Sequence, residues 1–161
     1  MQAELEMVYR QHRQALFSLA LTITGCSGLA EDAVHEAFVR LCGRREKPAG
    51  SLVAYVFAAV RNAAVDCRRR EKREQEVTET LFAEARSEEK SQSAMNDNAM
   101  RLRREIESLD KDTREIIVMK IFGELTFEEI GSVLTIPAAT IATRYRRALT
   151  TLEERLRRDH E

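Results

Sequence analysis

The sequence predicts an all-α protein built as two small helical domains joined by a flexible linker. Three observations predict it. Apolar residues recur at spacings of three and four over long segments, which is the period of an α-helix packed on one face. Only two prolines and six glycines occur in 161 residues, so the turn-rich alternation of a β protein is missing. Between residues 75 and 100 that periodicity lapses, and the composition shifts to Ser, Gln, Asn and Glu with six acids against two bases. The chain length suits one domain or two small ones.

The first domain is read over 1–74. Leu5, Val8, His12, Leu16, Leu19 and Ile23 fall on one helical face, and Gly25 and Gly28 end the pattern. A second helix is expected near 29–42, with Val34, Ala37, Phe38 and Leu41 inward and Glu31, Asp32, His35 and Glu36 on the other side. The segment GRREKPAGS over 43–51 makes a short basic loop containing Arg44, Arg45 and Lys47. Ser51 is placed to cap a third helix, expected from 52 to 73. Leu52, Tyr55, Val56, Ala59, Ala63 and Cys67 form its inner face. Asn62, Asp66, Arg69 and Arg73 form an outer stripe, with Arg61, Arg68 and Arg70 beside it. Residues 51–74 hold six bases and three acids, which makes them the first basic patch of the chain.

The second domain is read over 101–161. Ile106 and Leu109 close its first helix. Asp112-x-x-Glu115 is a candidate capping box for the next, which carries Ile116, Ile117, Met119 and Ile121 as candidate core and stops at Gly123. Thr126-x-x-Glu129 repeats the pattern ahead of a short helix bearing Phe127, Ile130, Val133 and Leu134. Thr135-Ile136-Pro137 turns the chain into a last helix from 138 to 158, packed through Ile141, Tyr145, Ala148, Leu152 and Leu156. Arg155, Arg157 and Arg158 read as a solvated helix end.

Two short helices across a tight turn, the second rich in arginine, form a helix-turn-helix pattern. In such a unit the second helix enters the DNA major groove with its N-terminal end towards the bases. Small side chains at Ala138, Ala139 and Thr140 let the backbone approach. Thr140, Thr143, Arg144 and Arg147 are expected on one exposed face, with Arg146 beside them, positioned for phosphates or a guanine edge. The outer stripe of the third helix, the basic loop and Tyr55 suit single-stranded nucleic acid held through phosphates and one stacked base. The acidic side at 31–36 suits a basic protein partner.

Charge sets limits on these partners. Twenty-six bases face 27 acids, a net of −1, so any polyanion is met by local patches and not by the bulk charge. His12, His35, His160 and Cys26, Cys42 and Cys67 have no metal-ligand spacing, and no catalytic triad or phosphate-cradling glycine loop stands out. No cofactor, metal or enzymatic activity is expected. Cys42 and Cys67 fall at inner positions. The N-terminal MQAELEMVYRQ lacks a signal-peptide core, no run is long enough to insert in a membrane, and the sparse cysteines fit a reducing compartment, so a cytoplasmic protein is expected.

The blocks VYRQHRQALFSLALTITG, LAEDAVHEAFVRL and AYVFAAVRNAAVDCRRR, followed by the helix-turn-helix, resemble in order the sigma factors of the extracytoplasmic-function (ECF) type, the short bacterial initiation subunits of RNA polymerase. The resemblance implies a region 2 over 1–74 and a region 4 over 101–161. It implies that Glu31, Asp32, His35, Glu36, Phe38 and Arg40 dock on the clamp helices of the largest polymerase subunit. It further implies that the loop with Arg44, Arg45 and Lys47 captures a base flipped from the minus-ten promoter element, and that Arg61, Asn62, Asp66, Arg69 and Arg70 open and read that element. Residues 138–147 would read the minus-thirty-five element, while region 4 packs on the polymerase flap. An anti-sigma factor is a further implied partner. The chain departs from the family pattern at Cys42 and Tyr55, where tryptophan is common, at Ala142, where lysine is common, and at Thr135 and Ala139, where glycine is common. A free-standing helix-turn-helix regulator is the alternative reading; the acidic helix side and the nearby basic loop favour the polymerase subunit.

Overall fold

A computed structural model describes residues 1–79 and 97–158. The chain divides into two units, Met1–Ser91 and Gln92–Glu161. All regular structure among the described residues is helical.

The first unit packs three helices: α1 (Gln2–Thr24), α2 (Ser27–Cys42) and α3 (Leu52–Glu79). The expected α1 stripe is inside: Leu5, Val8, Leu16, Leu19 and Ile23 are buried. His12 lies at the margin of that stripe, half-buried and edge-on to Phe57 at 5.8 Å. Gly25 ends α1 in the left-handed region (φ 71°), its N–H donating to the Leu21 carbonyl at 2.8 Å. Gly28, expected to help end α1, instead sits in the first turn of α2.

The α2 seam also differs from expectation. Ala30, Ala33, Ala37 and Leu41 are buried, whereas Val34 and Phe38 are only half-buried. Alanines there, with Ala15 and Ala20 on α1 and Ala54, Ala63 and Ala64 on α3, leave little side chain between the helices. Helix axes then approach closely, and the large residues Leu16, Leu19 and Phe57 fill the centre. Cys67 is buried as expected, but Cys42 is exposed: Leu41 takes the inward position in the last turn of α2, and Cys42 falls on the outer side. Ser51 does cap α3, accepting the Ala54 N–H at 3.2 Å. The helix runs six residues beyond its expected end at 73, to Glu79. Residues 75–79 and 97–100 of the expected linker are therefore helical, and 80–96 lie outside the described residues.

In the second unit, α4 (Asp97–Glu107) and α5 (Lys111–Ile117) precede a π-helical turn (Val118–Phe122), α6 (Phe127–Leu134) and α7 (Ala138–Arg158). The core joins Ile117, Ala148 and Leu152 with the half-buried Ile106, Leu109 and Tyr145. Ile116, Met119, Leu125, Ile130 and Ile141 are fully enclosed as well. Arg155, expected in solvent, reaches α4 instead, 3.4 Å from a Glu105 carboxylate oxygen.

The expected capping box at Asp112 and Glu115 does not form. Asp110 caps α5, accepting from the Thr113 N–H at 3.2 Å and from its hydroxyl at 2.6 Å, while Glu115 is wholly buried. These hydrogen bonds, which favour the charged carboxylate, hold Asp110 below the usual aspartate range. The second box does form: Thr126 Oγ1 accepts from Glu129 N–H at 3.1 Å, and the Glu129 carboxylate accepts from Thr126 N–H at 2.8 Å. Such a cap contributes about 1 kcal/mol to an eight-residue helix that is too short to persist alone. Ile121, expected in the core, is 49% exposed, because the π turn holds one extra residue and rotates its side chain outward.

Candidate functional site

The helix-turn-helix is built around one close approach. Thr135 ends α6 in the left-handed conformation (φ 58°), and the Ile136 N–H donates to the Gly131 carbonyl at 3.0 Å. A Cβ on Gly131 would meet the Ile136 carbonyl oxygen at 2.5 Å, so only glycine leaves room for this turn unless the backbone shifts. The Pro137 carbonyl then accepts the N–H of Thr140 at 3.0 Å and of Ile141 at 3.1 Å, starting α7. Phe127 of α6 packs on Tyr145 of α7 with ring centroids 5.6 Å apart, and the Lys120 ammonium lies over the Phe127 ring, 4.5 Å from its centre. These contacts fix the angle at which α7 leaves the turn.

Ile141 and Ala148 face inward, so the opposite side of α7 stands in solvent. Its exposed face is Ala139, Thr143, Arg146 and Arg147; Ala138, Thr140, Ala142 and Arg144 are half-buried at its flanks. The face thus differs from the expected set of Thr140, Thr143, Arg144 and Arg147 by a small rotation. The Thr143 hydroxyl donates back to the Ala139 carbonyl at 3.0 Å, which leaves its oxygen as an acceptor. Arg144 leans towards α5, 4.0 Å from an Asp112 oxygen. Arg146 and Arg147 have no ion-pair partner among the described residues. Sequence reasoning missed the Asp112 contact, which joins positions 32 residues apart and leaves no local signal.

On the first unit, Arg44 bonds the Tyr55 hydroxyl and also lies 5.8 Å from the centre of its ring. Lys47 donates to a Glu4 carboxylate oxygen at 2.5 Å, tying the basic loop to the start of α1. Arg45 is exposed. Along α3, Asn62 and Arg69 are exposed and Arg61 and Asp66 half-buried. Arg68 turns away and donates to the Ile23 carbonyl at 3.1 Å. Arg70 crosses to α2 and donates to Glu36 at 2.9 Å. The two residues were expected on separate surfaces, and the fold brings them together.

The side of α2 that bears Glu31 and His35 borders a largely apolar groove of about 530 Å³ against α1. Tyr9 and Phe38 meet edge to face in it at 5.2 Å, and Glu6, Arg13 and Glu31 stand around it. The α1 contributors were missed in the sequence, although Tyr9 and Phe17 lie off the buried stripe and so were free to line a surface. Among the described residues no cluster of histidine, cysteine or carboxylate side chains could hold a metal ion, and no helix is long and apolar enough to cross a membrane.

Two helical units, one ending in a helix-turn-helix with an open cationic face, define a DNA-directed helical protein. The sigma-70 region 2 family matches residues 8–74 and the sigma-70 region 4 family matches residues 99–152. The chain belongs to the sigma-70 family as an ECF-type sigma factor, with regions 2 and 4; it serves RNA polymerase in promoter recognition and transcription initiation and is not an enzyme. Its fold is similar to that of the sigma factor RpoE, solved in complex with the anti-sigma factor NepR from Bartonella quintana: 23% identity, 97% of this chain and 96% of that one covered, TM-score 0.71. It is also similar to CnrH, solved with the cytosolic domain of CnrY: 21% identity, 99% and 91% covered, TM-score 0.63. No curated protein sequence matches the chain.

Proposed function

We propose that this sigma factor reads the minus-thirty-five element through Ala138, Ala139, Thr140, Thr143, Arg144, Arg146 and Arg147. It opens and reads the minus-ten element through Arg44, Arg45, Lys47, Arg61, Asn62, Asp66, Arg69 and Arg70, and it docks on the polymerase clamp helices through Glu31, Asp32, His35, Glu36, Phe38 and Arg40. In this reading region 2 spans 1–74 and region 4 spans 101–161, with the flap of the polymerase as the second docking point.

The observation that carries the reading is the outer face of α7: two arginines without acidic partners among the described residues stand beside small side chains at the tip of a braced helix. A tip of that shape fits between phosphate walls, and unpaired guanidinium groups meet phosphates without first breaking an ion pair. The groove beside α2 supports the second part, since an apolar floor with charged edges suits a protein helix. The same groove is available to an anti-sigma factor, the class of partner with which RpoE was solved.

Run-off transcription from a randomised promoter pool with core polymerase tests the reading. Addition of the protein yields initiation at a defined promoter class, and replacing Arg146 and Arg147 together by alanine removes it. Equal transcription by wild type and double variant sinks the assignment of α7.

A further inference from the structure

The basic loop of residues 43–51 is fastened on both sides. Arg44 bonds the Tyr55 hydroxyl on α3 and lies over its ring. Lys47 donates to a Glu4 carboxylate oxygen on α1 at 2.5 Å, a contact between positions 43 apart. The other Glu4 oxygen stands 3.7 Å from the Met1 ammonium. Beneath the loop, Leu5, Leu41 and Leu52, one residue from each helix, border a small hollow with Arg44, Glu46 and Tyr55. Two of the three loop cations are thus turned onto the protein. Arg45, between them, is exposed and has no ion-pair partner among the described residues. Gly50, left-handed at φ 92°, then turns the chain into the Ser51 cap of α3.

We infer that Glu4 is a positioning residue for nucleic-acid recognition: through Lys47 it holds the loop in the shape that presents Arg45 to the strand. The inference rests on the reading that this loop meets the minus-ten element. Lys47 then serves by fastening the loop, and Arg45 makes the phosphate contact. The side chains of Lys47 and Glu4 are 58% and 45% exposed, so their pairing shifts the loop's equilibrium by at most about fivefold. A shift of that size is felt in binding, because a loop already held in place need not be ordered when the strand arrives. Charge alone predicts the reverse sign: an acid near the strand repels phosphates, and removing it tightens binding.

A double-substitution cycle on the full-length protein tests it, read by anisotropy with a fluorescein-labelled, random-sequence, single-stranded oligonucleotide. Glu4→Gln, which keeps the shape of the side chain and removes its charge, is expected to weaken binding by about two- to fivefold. Lys47→Ala breaks the same contact from the other side and weakens binding too, but in the Glu4→Gln background it costs less than in the wild type, since the loop is already loose. An affinity of Glu4→Gln equal to or above that of the wild type overturns the inference. So does a cost of Lys47→Ala that is as large or larger in the Glu4→Gln background, the sign of a lysine that touches phosphate itself. Arg45→Ala checks the reading beneath: weaker binding is expected, with a slope of log affinity against log salt lower by about 0.7, the share of one phosphate on a single strand. No effect of Arg45→Ala removes the loop from the nucleic-acid surface, and the inference with it. An effect of Arg45→Ala without one of Glu4→Gln overturns the inference alone.

Discussion

The backbone of Gly131 passes so close to Ile136 that a side chain on the glycine would press a carbonyl oxygen. The turn of the helix-turn-helix is set by this contact. Gly131→Val is expected to destabilise the second unit by about 1–3 kcal/mol, as overpacking does elsewhere, and to weaken promoter binding in step. Urea unfolding followed by circular dichroism gives the first number. An unchanged midpoint means the turn tolerates a shift.

Thr135 makes the opposite case. A β-branched residue held at φ 58° costs about 1–2 kcal/mol, part of which glycine returns through its freer unfolded chain. Thr135→Gly is therefore expected to stabilise the second unit by about 0.5–1 kcal/mol, visible as a rise in Tm. The family habit of glycine at this position has the same physical origin.

Arg147 gives a test that reads charge and not fold. Being exposed and unpaired among the described residues, it can be replaced with little effect on stability. On the proposed reading it neutralises one phosphate. Arg147→Ala then lowers the slope of log affinity against log salt by about 0.9, on duplex DNA bearing the minus-thirty-five element. A parallel salt plot for wild type and variant removes Arg147 from the interface.

The Lys47–Glu4 contact predicts a pH dependence in the basic loop. The hydrogen bond from the Lys47 ammonium, then its charge, hold Glu4 below its ordinary 4.5. A lowered carboxylate pKa gives a stabilisation that is complete above the ordinary value and lost as pH falls through the folded one. NMR titration of the Glu4 carboxyl is expected to give a midpoint under 4.5, and Lys47→Ala is expected to raise it, the N-terminal ammonium keeping a smaller share of the lowering. Identical midpoints in the two proteins mean the loop is not tethered there.

Local signals were legible in the sequence, and long-range ones were not. The α1 stripe was readable because five large apolar residues keep one helical period, with only His12 set among them. The Thr126–Glu129 box was readable because both partners sit three residues apart and face solvent. The same pattern at Asp112 and Glu115 misled, since Glu115 is needed inside and Asp110 already serves as the cap. On α2 the larger Val34 and Phe38 looked like the seam, yet alanines pack closer and push them to the groove. The ion pair between Arg70 and Glu36 joins positions 34 apart, and no periodicity carries such a pairing. The open face of α7 was placed almost correctly, because the buried residues Ile141, Ala148 and Leu152 fix its opposite side.

The widened turn at Val118–Phe122 has a consequence for how this helix tolerates length. Five residues there do the work of four, so Leu125 and Met119 meet inside while Ile121 and Phe122 point to water. A chain shortened by one residue at Ile121 would close into ordinary helix, keep the enclosed side chains on their existing partners, and lose a greasy protrusion. The bulge thus puts its surplus residue on the outer surface, while Val118 and Met119 of the same turn stay enclosed.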